Sequence, residues 1–333
     1  MHDVIYLTYP VCDINVLLTE PLPLYAERTN VATGMSLVPG GGANTLFAAS
    51  RLGLDIVPLG VVGNDNFGRI IIEGYEREGV SVLGLELREG YNTLGVIVLN
   101  GPDGKHGYAS MLSGSFVKTL DLDALLTESR AVCLSGYMYA AAETREETMA
   151  FMQKARAFNK TIFFDPGPLA LDPGLVETTF ALSDVLALND AEAARWTGVE
   201  RIEDAARDLA GRCRGTVAVK SGEKGCYLFA GGEGRWHRGF DVKVLDTTGA
   251  GDVFLGAFMR GYIDGWDLDS AAALANAAGA ATAAKQGTGP DVAAADEILA
   301  VLVAAGYAVT RTDLLNRAPF RLVKDGQEPE PFF

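Results

Sequence analysis

Short β-branched and aromatic runs alternate with amphipathic helical stretches along most of this chain, and no other feature restricts its fold as much. "VIYLTY", "DIVPLGVVG", "AVCLSGY", "TIFFDPG", "VLALN" and "GTVAVKSG" read as buried strands. "ANTLFAASRLG", "FGRIIIEGYEREG", "REETMAFMQKARAFN", "DAEAARWTG" and "IEDAARDLAGRC" read as the helices between them. Such alternation predicts a parallel sheet with helices on both faces. The 333 residues fit one large domain, 1–333, with an appendage. Residues 14–38 and 92–112 break the rhythm and read as strand pairs joined by turns, either a small sheet standing off the main one or edge strands of it. After Asp252 the pattern is wholly helical, and the polar end "DGQEPEPFF" is expected to stay unstructured.

The charge balance narrows the partners. With 28 Lys and Arg against 43 Asp and Glu the net charge is -15, which repels nucleic acid and anionic lipid, and no basic patch offsets it. No apolar run approaches the roughly 20 residues that span a bilayer, and "MHDVIYLTYPVC" lacks a basic leader, so a cytoplasmic protein is expected. Cys12, Cys133, Cys213 and Cys226 form no paired motif and read as buried free thiols; His2, His106 and His237 lack metal-ligand spacing and read as surface or loop residues.

The stretch "DTTGAGDVFLGAFMRGY", Asp246 to Tyr262, carries the chemistry. Successive backbone N–H groups of a glycine turn point into one concavity, and the helix that follows adds unpaired donors and partial positive charge, so "TGAGD" has the parts of an anion hole. Phe254, Ala257, Phe258 and Tyr262 give the helix one apolar stripe. Asp252 stands at the helix start, where the helix end favours its ionised form. A carboxylate beside a bound phosphate makes sense as the base that deprotonates an attacking hydroxyl. The plainer reading of Asp252 and Thr248 is as helix caps beside a turn.

"PGGGANTLFAASRLG" is a second glycine cluster entering a helix, with Asn44 able to donate to and accept from a polyhydroxylated ligand. Asn189 and Glu192 lie three apart in "LNDAEAARW", a spacing that alone signals a helix cap, and "VKSGEKG" ends a strand in a turn suited to a nucleotide phosphate. No GxxxxGK followed by Ser or Thr occurs, and no dinucleotide glycine fingerprint, so a kinase here must use another architecture.

"DTTGAGDVFLGA", "GGGANTLFAASRLG" and "NDAE" together resemble the signature regions of the ribokinase-like (PfkB-type) carbohydrate kinases, in order along nearly the whole chain. The resemblance implies a Rossmann-like three-layer α/β/α sandwich with a small β-sheet lid formed by 14–38 and 92–112. It implies Asp252 as catalytic base, with Gly249, Ala250 and Gly251 as the anion hole. Asn189, Lys220, Ser221, Gly222, Gly225 and Asn276 would line ATP; Glu192 would organise Mg²⁺ through water; Asp246 and Thr248 would border a monovalent-cation (K⁺) loop. Asp13, Asn15, Gly40, Gly41 and Asn44 would face the acceptor, and the lids would pair in a homodimer.

Three departures bear on the substrate. Leu17 stands where many sugar-kinase members carry an acid, Lys105 and His106 stand where an arginine often follows the lid turn, and "DPGPLA" lacks the Asn and Arg of the family's DPNxR pattern. The expected activity is ATP-dependent phosphorylation of a hydroxyl on a small sugar or polyol. The alternatives are a nucleoside kinase, which Leu17 and Tyr25 encourage, a non-catalytic sugar or nucleotide sensor, and, remotely, a dinucleotide oxidoreductase.

Overall fold

The computed structural model describes residues 1–22, 30–103, 106–110, 114–168 and 171–324; Tyr25, Lys105 and the "DGQEPEPFF" end lie outside them. The first part of the chain holds β1 (His2–Leu7), β2 (Pro10–Leu18), β3 (Ala32–Gly41), α1 (Ala43–Arg51), β4 (Ile56–Gly63), α2 (Asn66–Arg77), β5 (Leu85–Arg88), β6 (Leu94–Asn100) and β7 (His106–Ser110). Then come α3 (Leu122–Thr127), β8 (Ser129–Ser135), α4 (Arg145–Ala157), β9 (Thr161–Asp165), α5 (Pro173–Leu182), β10 (Val185–Asn189), α6 (Asp190–Thr197), α7 (Ile202–Ala210) and β11 (Thr216–Lys220). The hairpin β12 (Cys226–Ala230) and β13 (Glu233–His237) precedes four helices, α8 (Ala250–Ile263), α9 (Leu268–Ala283), α10 (Ala295–Ala304) and α11 (Arg311–Leu315).

The main sheet runs β13-β12-β11-β10-β9-β8-β1-β4-β5. It is parallel from β11 to β5 and antiparallel at β12 and β13, which corrects the all-parallel expectation. The cause is Gly231 and Gly232, both at positive φ, which close a two-residue hairpin where a crossover would otherwise follow. Each inner strand feeds two cores. Val4, Tyr6, Ala131, Cys133 and Phe163 pack toward α1, α2, α8, α9 and α10, while Ile5, Leu7, Val132, Leu134 and Phe164 pack toward α3 to α7. Alternation along a strand therefore builds both outer layers, each large side chain so buried contributing about 1.5–3 kcal/mol.

The helix α8 is buried on nearly every side, from Val253 to Gly261, because α1, α9 and the sheet enclose it; the single apolar stripe is too narrow a description. Three cysteines are buried and Cys213 half-buried, all free thiols. The histidines are not loop residues: His2 lies in β1, His106 in β7 and His237 at the end of β13, each partly buried.

The two interruptions join as a separate four-stranded sheet, β3-β2-β6-β7, so the stand-off reading holds over the edge-strand one. Its register decides which side chains share a face. Asp13, Asn15 and Leu17 share one with Val96, Val98 and Asn100, and with His106 and Tyr108; Ile14, Val16, Met35, Leu37 and Ile97 share the other. Among the described residues no helix is long and apolar enough to cross a membrane.

Candidate active site

The parallel strands deliver their last residues to one edge, the carboxyl edge where open α/β sheets bind ligands. Asp165 ends β9, Asn189 ends β10 and Lys220 ends β11, with Asn189 and Lys220 directly paired. Facing them, α8 starts from Gly249, whose left-handed backbone (φ 77°) turns the chain into the helix at a conformation that suits glycine. A Cβ there would stand 3.0 Å from Asn44 Nδ2. The Ala250 amide donates to Thr247 O at 3.2 Å, closing the turn that leads into the helix.

Asp252 is held from α1. Asn44 Nδ2 donates to its Oδ2 at 3.0 Å, Asn44 Oδ1 accepts from the Gly289 amide at 2.7 Å, and Thr45 Oγ1 donates to the Asp252 carbonyl at 3.2 Å. Desolvation works against the ionised form that the helix end favours. Burial raises its proton affinity to a pKa of about 6, against the Asn44 hydrogen bond; Asp165 adds to the rise and Lys220 opposes it.

Asp13 belongs to the same group. It is buried on β2 and pushed up to about 7, first by burial and then by the Asp252 charge, with the Gly41 backbone opposing. A Cβ on Gly40 would fall 1.9 Å from the Asp13 carboxyl carbon, so glycine is what lets β3 pass this close. The structure thus joins Asp13, Gly40, Gly41, Asn44 and Asp252, and sets the half-buried Asn15 on the same sheet face as Asp13.

On the other side, Lys220 Nζ pairs with Asp165 Oδ2 at 2.9 Å and would stand 3.4 Å from a Cβ on Gly251. Its pKa is raised: burial acts against the charged form, and Asp165, Glu192 and Asp252 outweigh it. Asn189 caps α6, its Oδ1 accepting from the Glu192 amide at 2.8 Å while Glu192 Oε2 accepts from the Asn189 amide at 2.9 Å. The cap reading of this pair is therefore right, yet Glu192 is buried and its proton affinity raised, by burial and then by Asp165, with Lys220 opposing. Ser221 Oγ donates to Asp190 Oδ2 at 3.3 Å. Gly222 (φ 52°) opens to free space, whereas a Cβ on Gly225 would strike His237 O at 2.1 Å. Asn276 Nδ2 donates to His237 O at 3.0 Å and Arg238 O at 3.3 Å, so it fixes the segment that packs against Gly225.

Asp246 is committed to its loop: Oδ1 accepts from the Thr248 amide at 2.9 Å and Oδ2 from the Gly287 amide at 3.3 Å. Four residues join the site without a site role in the sequence reading, and two of them, Tyr108 and Tyr137, are not singled out there at all. Asp165 anchors Lys220; Tyr108 on β7 neighbours Thr248, Asp246, Asp13 and Asp252; Tyr137, just after β8, neighbours Asp252, Asp165 and Glu192; His106 touches Thr248. Only the Asp of "DPGPLA", which ends a parallel strand, carried a readable signal. A cleft of about 430 Å³ between β12, β13 and the start of α9 is lined by Arg235, His237 and Asp269 and is separate from these carboxylates.

A model of the pfkB family of carbohydrate kinases matches residues 13–295. An ATP-dependent ribose-1-phosphate kinase of Halopiger xanaduensis is 30% identical over 81% of this chain and 88% of its own length. Fructokinase-2 of Solanum lycopersicum is 29% identical over 81% and 89%. Among solved structures, ribokinase of Thermotoga maritima superposes with a TM-score of 0.78 at 25% identity over 91% of this chain and 100% of that one. Arabidopsis thaliana ribokinase complexed with ribose and ATP gives 0.77 at 22% over 90% and 99%.

Proposed function

The chain belongs to the pfkB family of carbohydrate kinases, and on that footing we propose that it transfers the terminal phosphoryl group of ATP to a hydroxyl of a small sugar or polyol. The observation that carries the proposal is the placement of Asp252. It is a half-buried carboxylate held by Asn44 in the first turn of α8, with the Lys220 ammonium beside the same glycine turn. A pKa of about 6 makes it a base ionised at neutral pH and well matched to accept a hydroxyl proton.

In the step we propose, Asp252 takes the acceptor's proton as its oxygen attacks the γ-phosphorus in line. The new P–O bond forms as the bond to the ADP oxygen breaks, and ADP leaves. The Gly249 and Gly251 amides and Lys220 receive the charge spread over the transferred group, whereas the Ala250 amide is taken by Thr247 O. Asn189, Ser221, Gly222, Gly225 and Asn276 line the nucleotide side, Asn276 by holding the segment at His237 and Arg238.

Among the described residues no three acidic, histidine or cysteine side chains gather as a metal cluster. Glu192, buried with Asp165 and Lys220 acting on it, suits Mg²⁺, which keeps its waters and takes one or two carboxylates with substrate phosphates. Glu192 would hold it through water, and it would supply charge neutralisation between the phosphates. A monovalent cation beside Asp246 and Thr248 would rest on backbone carbonyls, since both Asp246 oxygens already accept backbone amides.

Asp13 and Asn15 on the small sheet and Gly40, Gly41 and Asn44 opposite would hold the acceptor's hydroxyls, with the sheet acting as a lid. Lys220, paired with Asp165, brings a cation to these carboxylates. A nucleoside is the second reading, favoured by Leu17 on the same face as Asp13 and by the rings of Tyr108 and Tyr137 beside Asp252. The other face of the lid exposes Met35, Leu37 and Ile97, an apolar surface suited to a second copy of the chain. ADP release with Mg-ATP and D-ribose, D-fructose, ribose 1-phosphate or adenosine tests the reading; silence on all of these with ATP bound would count against it.

A further inference from the structure

We infer that His106 is a positioning residue for phosphoryl transfer, linking the small sheet to the glycine turn through Thr248. The inference rests on the kinase reading for its consequence and on geometry alone for the contact. In the register of the sheet, Leu17, Asn100 and His106 form one row and Asn15, Val98 and Tyr108 the next. The face that carries Asp13 and Asn15 is therefore the face that carries His106.

The imidazole is fixed at both nitrogens. Asn100 turns its amide toward the backbone, Nδ2 donating to Val98 O at 3.3 Å, which leaves Oδ1 to accept from His106 Nδ1–H at 2.9 Å. Nε2 hydrogen-bonds with Thr248 Oγ1 at 3.2 Å and lies 3.4 Å from Asp246 Oδ1. Tyr108, two residues on and 6.4 Å away between ring centroids, also reaches Thr248.

Thr248 is the last residue before Gly249, and its own amide is tied to Asp246. A side chain from the small sheet thus grips the residue that sets the register of the glycine turn. When the sheet lies over the site the turn is held; when the sheet lifts, the His106 contact goes with it. Because Asp13 and Asn15 ride on the same sheet, seating an acceptor and readying the turn become one movement.

The test compares wild type with His106→Leu, His106→Gln, Thr248→Val and the His106→Leu/Thr248→Val double variant, using whichever of D-ribose, D-fructose and adenosine turns over fastest. Leu removes the contact, whereas the Gln amide can restore a polar contact to Thr248. The Leu variant should lose about 10- to 100-fold in kcat with acceptor KM within about threefold, the scale of a misplaced reacting group. Gln should recover most of that, and the double variant should fall no further than the worse single variant. Fully multiplicative effects, a change in KM alone, or Gln no better than Leu would overturn the inference. Hydrogen exchange reads the contact without turnover: amides 247–251 should exchange faster in the Leu variant while β8 to β10 are unchanged. Unchanged exchange at 247–251 would also overturn it. If the wild type turns over none of the three acceptors yet exchange responds, the contact stands and the kinase reading falls.

Discussion

Asn44 spends both ends of its amide on the site, one on Asp252 and one on the Gly289 amide. Its hydrogen bond favours the ionised Asp252, so Asn44→Ala should raise the proton affinity of that carboxyl further. The acidic limb of the kcat/KM profile should then move to higher pH; an unmoved limb would separate Asn44 from the base. Asp13 supplies a stability test. Its folded pKa is raised from 3.8 to about 7, so the folded state keeps a proton that the unfolded chain releases, and stability falls as pH climbs through that window. Asp13→Asn removes the term. Its Tm should decline less than the wild type's between about pH 5 and about pH 8, and parallel declines would contradict the burial argument.

Among the elements, the ends of β9, β10 and β11 matter most, because they hold Lys220 between Asp165 and Glu192. Lys220→Met should weaken ATP binding about 10- to 100-fold by calorimetry, the scale of a lost charge-assisted hydrogen bond, and it leaves two carboxylates uncompensated. Unchanged affinity would move the phosphates elsewhere. The sequence showed these strand ends well, since an apolar run stopping at Asn189 or Lys220 marks where a buried strand reaches solvent. Tyr108 and Tyr137 were hidden. Each meets Asp252 only through chain folding, Tyr108 by sheet register and Tyr137 by the turn after β8, and neither spacing declares it. The antiparallel hairpin was written in Gly231 and Gly232 and went unread because helix and strand alternation dominated the pattern.

At the scale of the molecule, the buried Arg260 near the end of α8 donates to carbonyls of Leu52, Leu314 and Asn316 and pairs with Asp264, while Arg317 joins Asp3 to Asp264. The helices bearing Asn44 and Asp252 are thereby clamped at their far ends. Local pattern could not reveal this clamp, because its partners lie as much as 314 residues apart in sequence. The outer face of the small sheet carries a different expectation. Ile97→Glu should convert a dimer to a monomer by light scattering, and a wild type already monomeric at assay concentration would remove the proposed pairing. The central claim is that Asp252 is the base of a phosphoryl transfer. Its most direct measurement is acceptor-dependent ADP release by wild type and Asp252→Asn, with ATP binding and Tm followed in parallel. The account predicts a loss of about 10²- to 10⁴-fold in turnover with ATP affinity and Tm near wild type. Near-normal turnover in Asp252→Asn would contradict it.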